Sequence, residues 1–397
     1  MTNFKTRLTT AIATGAVLLN ALAMPSFAAT ITISGNGSNS DNDAKVKTES
    51  DVDVDQKNDA DIDNDIKVSA DTGNNSASDN TGGDVSVETG DADADVTVVN
   101  KANVNQAVVQ NCCPNDLEVE ISGNGTGSDN NVEFESENDV DLDQDNDADF
   151  YNKVYADADT GDNDADDNTG GDVTVETGDA TVGVHLLNAA NKNSAFVGAG
   201  DGEGGEVSAK ILGNGSNTDN DIDLDFDNDV DVDQDNDADF YNKVYADADT
   251  GDNSADDNTG GDVLVETGDA DLTVDIANLA NFNWADIDSC GCFDDLEAKI
   301  AGNGTYSDSE IEFETEEDLD LDQDNDSDFD NKVDGDSDTG DNDADDNTSW
   351  EGGDPSVTTG DADADVDVSN HSNINLFGED LDFEWDWDAL LDWLDLH

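Results

Sequence analysis

Residues 139–159 read DVDLDQDNDADFYNKVYADAD. Val140, Leu142, Gln144, Asn146, Ala148, Phe150, Asn152, Val154, Ala156 and Ala158 share one parity. Asp139, Asp141, Asp143, Asp145, Asp147, Asp149, Tyr151, Lys153, Tyr155, Asp157 and Asp159 hold the other. Successive side chains of a β-strand point to opposite faces, so the stretch predicts a strand with one apolar and amide face and one acidic face. A straight strand of this length would run roughly 70 Å, against about 5 to 6 residues for a usual strand, so a bend that keeps the parity is expected.

The pattern recurs along the chain. Gly-Asn-Gly begins at Gly35, Gly123, Gly213 and Gly302, at spacings of 88, 90 and 89 residues. Gln56, Gln144, Gln234 and Gln323 keep the same step, as does Asp-Thr-Gly at Asp71, Asp159, Asp249 and Asp338. Asn-x-x-Asn-x-Asn closes each unit, from Asn100, Asn188, Asn278 and Asn370. The chain thus divides into a leader, 1–28, four repeats at 33–120, 121–210, 211–299 and 300–378, and a tail, 379–397. Alternating strands punctuated by glycine predict an all-β chain, an elongated β-solenoid built from four repeats of about 88–90 residues. Tandem β-sandwich domains are the alternative architecture, and a largely disordered acidic chain is a third. Gly35, Gln56, Gly73 and Gly90 mark steps of 21, 17 and 17 residues, which predict a narrow coil with four or five rungs per repeat. Gln144, Asn146 and Asn152 would then sit at or near its corners and form amide ladders.

Charge sets the class of partner. The chain has 13 basic and 102 acidic residues, a net −89, and since residues 1–28 hold Lys5, Arg7 and no acid, the remainder carries −91. Nucleic acid and anionic lipid are excluded as expected partners, because phosphate binding needs clustered Lys and Arg. Lys5 and Arg7, the apolar run Ala11–Met24, and Ser26 and Ala28 form a secretory signal pattern with cleavage expected after Ala28. The expected location is therefore extracellular or at the cell surface. No later apolar run reaches the roughly 18 residues of a spanning helix, so no transmembrane segment is expected.

The stretches DQDNDADFYNKVYADADTGDN, 143–163, and DNTGGDVTVETGDA, 167–180, resemble the acidic Asp/Asn/Thr/Gly repeats of uncharacterised secreted bacterial surface proteins. The cadence at Gln56, Gly73 and Gln144 is more distantly similar to curlin repeats. The resemblance implies an extracellular matrix, filament or adhesin role.

Four Asp-Thr-Gly copies at a regular period, set among Ala-Asp and Asp-Asn, do not fit an aspartic-protease dyad, which needs two loops in apolar surroundings. His185, His371 and His397 share no repeat position, and no activated nucleophile is recognisable, so the chain is not expected to be an enzyme. An EF-hand loop starting at Asp139 would need Gly and Glu where Gln144 and Phe150 stand. Aspartates on adjacent rungs lie about 4.8 Å apart, close enough for Ca²⁺ to bridge them with oxygen ligands. Multiple weak calcium sites are therefore expected on Asp139, Asp141, Asp143, Asp145, Asp147, Asp149, Asp157 and Asp159, and on Asp229, Asp231, Asp233, Asp235, Asp237, Asp239, Asp247 and Asp249. Diffuse screening by monovalent salt is the alternative.

The remaining features are less specific. Lys153, Lys243 and Lys332 recur in Asn-Lys-Val, and local neutralisation of aspartate is their expected role. Asn36, Asn124, Asn214 and Asn303 fit both a glycosylation sequon and an Asn-Gly turn. Outward Tyr151, Tyr155, Tyr241 and Tyr245 are the candidates for a carbohydrate or ligand-binding face. Cys112 and Cys290 occupy one position two repeats apart, with Cys113 and Cys292 beside them. On a stack of four or five rungs per repeat, equivalent positions two repeats apart stand roughly 40 Å from each other, so disulfides are expected to be local or intermolecular. The tail, with Trp387, Leu390, Leu391 and Leu394 at helical spacing, is a candidate cap or docking segment. Divalent cations, self-association and matrix or cell-surface components are the expected partners.

Overall fold

The computed structural model of the chain describes residues 4–13, 17–23, 29–110, 117–198, 205–287, 293–349 and 355–378. Within them the regular structure is β throughout, in parallel sheets, and the chain is a β-solenoid. In the second repeat an entry strand, Leu117–Ser122, turns through Gly123-Asn124-Gly125 into a long strand, Asp129–Asp159. A short strand, Val173–Glu176, follows, and a return strand, Ala180–Gly198, comes back across the coil towards the next entry strand, Gly205–Leu212. Val154, Ala156 and Ala158 pack across the coil on Ala180, Val182 and Val184, while Val140 and Leu142 meet Ala195 and Val197.

Every strand pairs with its counterpart one whole repeat away. Asp129–Asp159 lies between Asp41–Asp71 and Asp219–Asp249, and Glu310–Asp338 follows, with Gln56, Gln144, Gln234 and Gln323 in one column. One coil is therefore one repeat, and the expected coils of 17 to 21 residues are wrong. The reason lies in the quoted stretch, whose parity continues unbroken through a strand of 31 residues. No corner interrupts it, and the chain turns only after Asp159. Gln144, Asn146 and Asn152 consequently lie fully buried in mid-strand, away from any corner. Tandem sandwiches fail because pairing runs between repeats and not within them. At about 4.8 Å per rung the four coils stack roughly 19 Å deep, and the long dimension, roughly 100 Å, follows the long strands.

Alternating Val, Leu, Ala and Phe fill the inner layer. Phe150 stacks on Phe240 with centroids 4.8 Å apart, and each fully buried side chain of this size contributes about 1.5–3 kcal/mol by transfer from water. Amides divide the apolar clusters. Asn146 Nδ2 donates across the coil to Asn193 Oδ1 (2.7 Å) and along the stack to Asn236 Oδ1 (2.9 Å). Asn152 Nδ2 does the same with Asn188 (2.9 Å) and Asn242 (2.8 Å). Gln144 Nε2 donates to Gln56 Oε1 at 2.6 Å. The return strand matches this spacing with a left-handed residue in each coil, Asn103, Asn191, Asn281 and Asn373, at φ of 59°, 62°, 61° and 61°. Asparagine is one of the few residues other than glycine that tolerates this region. The local reversal turns Ala190, Asn191 and Asn193 all inward.

The Asp-Thr-Gly turns stack as tightly as the strands. Gly251 has φ +76°, and a Cβ there would lie 2.4 Å from the carbonyl oxygen of Gly161 in the coil below. Left-handed strain alone costs a residue with a Cβ about 1–2 kcal/mol. Gly251→Ala is expected to lower folding stability by about 2 kcal/mol or more, read from denaturant unfolding in Ca²⁺. An unchanged midpoint would show that the turns are not in contact.

The leader segments Phe4–Ala13 and Val17–Ala23 pair in parallel with Ala92–Gln110, Phe4 against Ala92, one repeat out of step like every other strand. No helix among the described residues is long and apolar enough to cross a membrane. The four cysteines and the tail 379–397 lie outside the described residues. With one coil per repeat, strands two repeats apart are separated by about 9.6 Å, which replaces the 40 Å expected above and still exceeds the roughly 7 Å a disulfide tolerates.

Candidate functional site: the stacked carboxylate face

The sixteen expected calcium-site aspartates all lie on the outer face of the two central long strands, in register: Asp139 pairs with Asp229, Asp141 with Asp231, and so on to Asp159 with Asp249. The columns also extend into both outer coils. Asp51, Asp139, Asp229 and Asp318 form one, and the positions of Asp141, Asp143, Asp147 and Asp149 are likewise aspartate in all four coils. The repeat period of the sequence places the outer-coil members in these columns as well.

Burial against neighbouring coils raises the carboxyls of Asp143, Asp147, Asp233 and Asp237 above the ordinary aspartate value, and the aspartates beside them raise them further. The carboxylates of Asp139, Asp141, Asp143, Asp147 and Asp149 accept no hydrogen bond and form no salt bridge among the described residues. Asp145 differs, taking the ammonium of Lys57 from the first coil. Asp159 and Asp249 each accept the amide of the turn glycine, Gly161 N at 2.6 Å and Gly251 N at 2.7 Å, which offsets part of the upward shift burial gives them. The protease-like tripeptide is thus a turn whose carboxylate holds its own backbone. Among the described residues no group of three or more His, Cys, Asp or Glu converges as a formed metal cage. The carboxylates stand in parallel rows.

A second set of acids, which period-two reading did not separate from the first, works differently. Asp252 N donates to Asp162 Oδ1 (2.9 Å), Asp262 N to Asp172 Oδ1 (3.0 Å) and Asp269 N to Asp179 Oδ1 (2.9 Å). These corner carboxylates accept backbone amides of the next coil and are structural. Their only sequence signal is a position beside glycine, as in Gly161-Asp162 and Gly178-Asp179.

Several other expectations change. Lys153 and Lys243 lie over the rings of Tyr155 and Tyr245, 4.8 and 4.9 Å from the centroids, and form no salt bridge with aspartate among the described residues. Tyr151 stacks on Tyr241 and Tyr155 on Tyr245, at 4.9 and 4.8 Å and nearly parallel, so one face of each ring is covered by its partner. Asn124 and Asn214 are buried, and Asn124 Nδ2 donates to Asn130 Oδ1 (3.0 Å), which makes these two Asn-Gly triplets structural turns instead of glycan acceptors. The roles of Asn188, Asn191 and Asn193, recorded in sequence only as a recurring motif, emerge as a cross-coil ladder and its kink. In comparison with known proteins, the chain matches no family model, no curated protein and no solved structure.

Proposed function

We propose that the chain is a secreted structural or adhesive protein of the cell surface or extracellular matrix, whose solenoid is held together by divalent cations, calcium above all, bridging its aspartate columns. The observation that carries this reading is the set of in-register carboxylates, four coils deep, of which Asp139, Asp141, Asp143, Asp147 and Asp149 form no salt bridge among the described residues. Carboxylates about 4.8 Å apart suit a hard cation that takes oxygen ligands at 2.3–2.6 Å and completes its shell with water. No convergent donor set is required for such bridging, and the resulting sites are shallow and numerous. The leader, the acidic repeats and the resemblance noted above support an extracellular setting, where calcium is millimolar.

Equilibrium dialysis of the secreted protein against Ca²⁺ in about 0.15 M KCl tests the reading. Several ions per chain are expected, with dissociation constants on the order of 10⁻⁴–10⁻³ M, the range of extracellular modules. Binding that vanishes at this ionic strength would leave only diffuse screening.

A further inference from the structure

We propose that the protein assembles head to tail with further copies of itself, the last coil of one chain stacking as one more rung beneath the first coil of the next. Among the described residues the long strands at the two ends of the stack, Asp41–Asp71 and Glu310–Asp338, each pair on one edge only. Ile311 and Phe313 of the last coil are 47 % and 53 % exposed, whereas their in-register counterparts Ile222 and Leu224 are fully buried.

At the other end, Asn58 is almost wholly buried, yet its Oδ1 has no donor. In this column each amide donates to the coil above, Asn58 Nδ2 to Asn146 Oδ1 (2.9 Å), Asn146 to Asn236 (2.9 Å) and Asn236 to Asn325 (2.9 Å). The unfilled acceptor is therefore the one that a coil below the first would satisfy.

Charge selects a second copy as the occupant. The first coil carries Lys45, Lys47 and Lys57 on its long strand, and each pairs with an acid of the second coil, Lys45 with Glu133 at 2.6 Å and Lys47 with Glu137 at 3.0 Å. In the same columns the last coil presents Glu312, Glu314 and Asp324. Continuing the register across two copies sets each lysine over an acid, and sets Lys332 of the last coil beneath Asp65 of the first. The junction between copies is thus richer in opposite-charge pairs than the junction between the two central coils, where aspartate faces aspartate. The lower edge also accepts a further parallel rung, since Phe4–Ala13 and Val17–Ala23 occupy it one repeat out of step. Removal of the leader would free it. The interface is heterologous and does not close on itself, so it propagates as a filament with a step of roughly 19 Å per chain and a spacing of about 4.8 Å between rungs.

This inference rests on the calcium-bridged fold, and its test keeps the two apart. The leader-free secreted protein in millimolar Ca²⁺ is followed by circular dichroism for folding, and by light scattering and negative-stain microscopy for assembly. Concentration-dependent filaments with the roughly 19 Å step are expected. The triple variant Glu312→Lys, Glu314→Lys, Asp324→Lys faces acids of its own third coil, so it is expected to fold, but to raise the concentration of half-assembly roughly a hundredfold. It keeps a wild-type first coil, so traces of it should shorten wild-type filaments. A folded wild-type protein that stays monomeric, or a variant that assembles like wild type, overturns the proposal. Assembly only after deletion of 379–397 also overturns it, by making the tail the occupant of the last coil. Loss of β-sheet signal in Ca²⁺ would instead count against the fold's dependence on cations.

Discussion

Held in chelator at pH 7 and about 0.01 M ionic strength, the protein is expected to lose most of its β-sheet circular dichroism, and to regain it on addition of millimolar Ca²⁺. Two carboxylates 4.8 Å apart repel by about 0.9 kcal/mol even at the dielectric of water. The columns of Asp139, Asp141, Asp143, Asp147 and Asp149, aspartate in every coil, hold three such neighbouring pairs each, which totals on the order of 10 kcal/mol, as large as the whole stability of a typical domain. At this ionic strength the screening length is about 30 Å, so salt removes little of it. Acid should substitute for calcium. The strand aspartates have folded-state carboxyls raised by burial and by each other, so the folded state binds protons more tightly than the unfolded chain. Stability from these groups is fully present below the ordinary aspartate value near 4 and is lost as pH rises through and above it. Lowering the pH from 7 towards 4 in chelator is therefore expected to restore the fold, the reverse of ordinary acid denaturation. Glu297, held low by the ammonium of Lys210, works in the opposite sense, but it is one exposed group against many. A spectrum indifferent to calcium and pH would remove the electrostatic account.

Asn152→Leu should be nearly as disruptive, for a different reason. The side chain is fully buried and donates to Asn188 and Asn242, while its Oδ1 accepts from Asn64 (2.7 Å) and Asn100 (2.8 Å). Leucine is close in size but removes four buried hydrogen bonds, while Asn188, Asn242, Asn64 and Asn100 each keep at least one other amide partner; at about 0.5–1.5 kcal/mol per bond, a loss of about 4 kcal/mol is expected. Asn331→Leu, at the same position in the last coil, is partly exposed and should cost about 1 kcal/mol. Chemical unfolding of both variants in Ca²⁺ measures the contrast. Equal, small effects would mean that the amide columns do not hold the coils together.

What could be read from the sequence follows from which interactions are periodic. The strand, its inner face and its acidic face were legible because the parity of Val140 to Ala158 survives intact in the coil. The four repeats were legible because stacking demands the same residue at each level, as Gln56, Gln144, Gln234 and Gln323 show. The size of the coil was not, because glycines mark turns and bends alike, and a run of 31 alternating residues lies far outside ordinary strand lengths. Parity also could not distinguish Asp143, which faces solvent beside its counterparts, from Asp172, whose carboxylate takes the amide of Asp262. That difference depends on the backbone path at Gly170 and Gly171, which the composition of the loop does not specify. Nor did the motif beginning at Asn188 announce that Asn191 would adopt a left-handed conformation to bring its neighbours inward.

The central claim is that one repeat makes one coil and that cations let neighbouring coils lie side by side. Nitroxide labels at Thr174→Cys and Leu264→Cys, with the native cysteines replaced by serine, test it without removing a carboxylate or an inner amide. These residues face outward in register on adjacent short strands. With Cα atoms about 4.8 Å apart, the two labels should show strongly broadened electron paramagnetic resonance lines in Ca²⁺ and sharp, independent lines in chelator. Sharp lines in both conditions would contradict the coil, and broad lines in both would contradict the role of the cation.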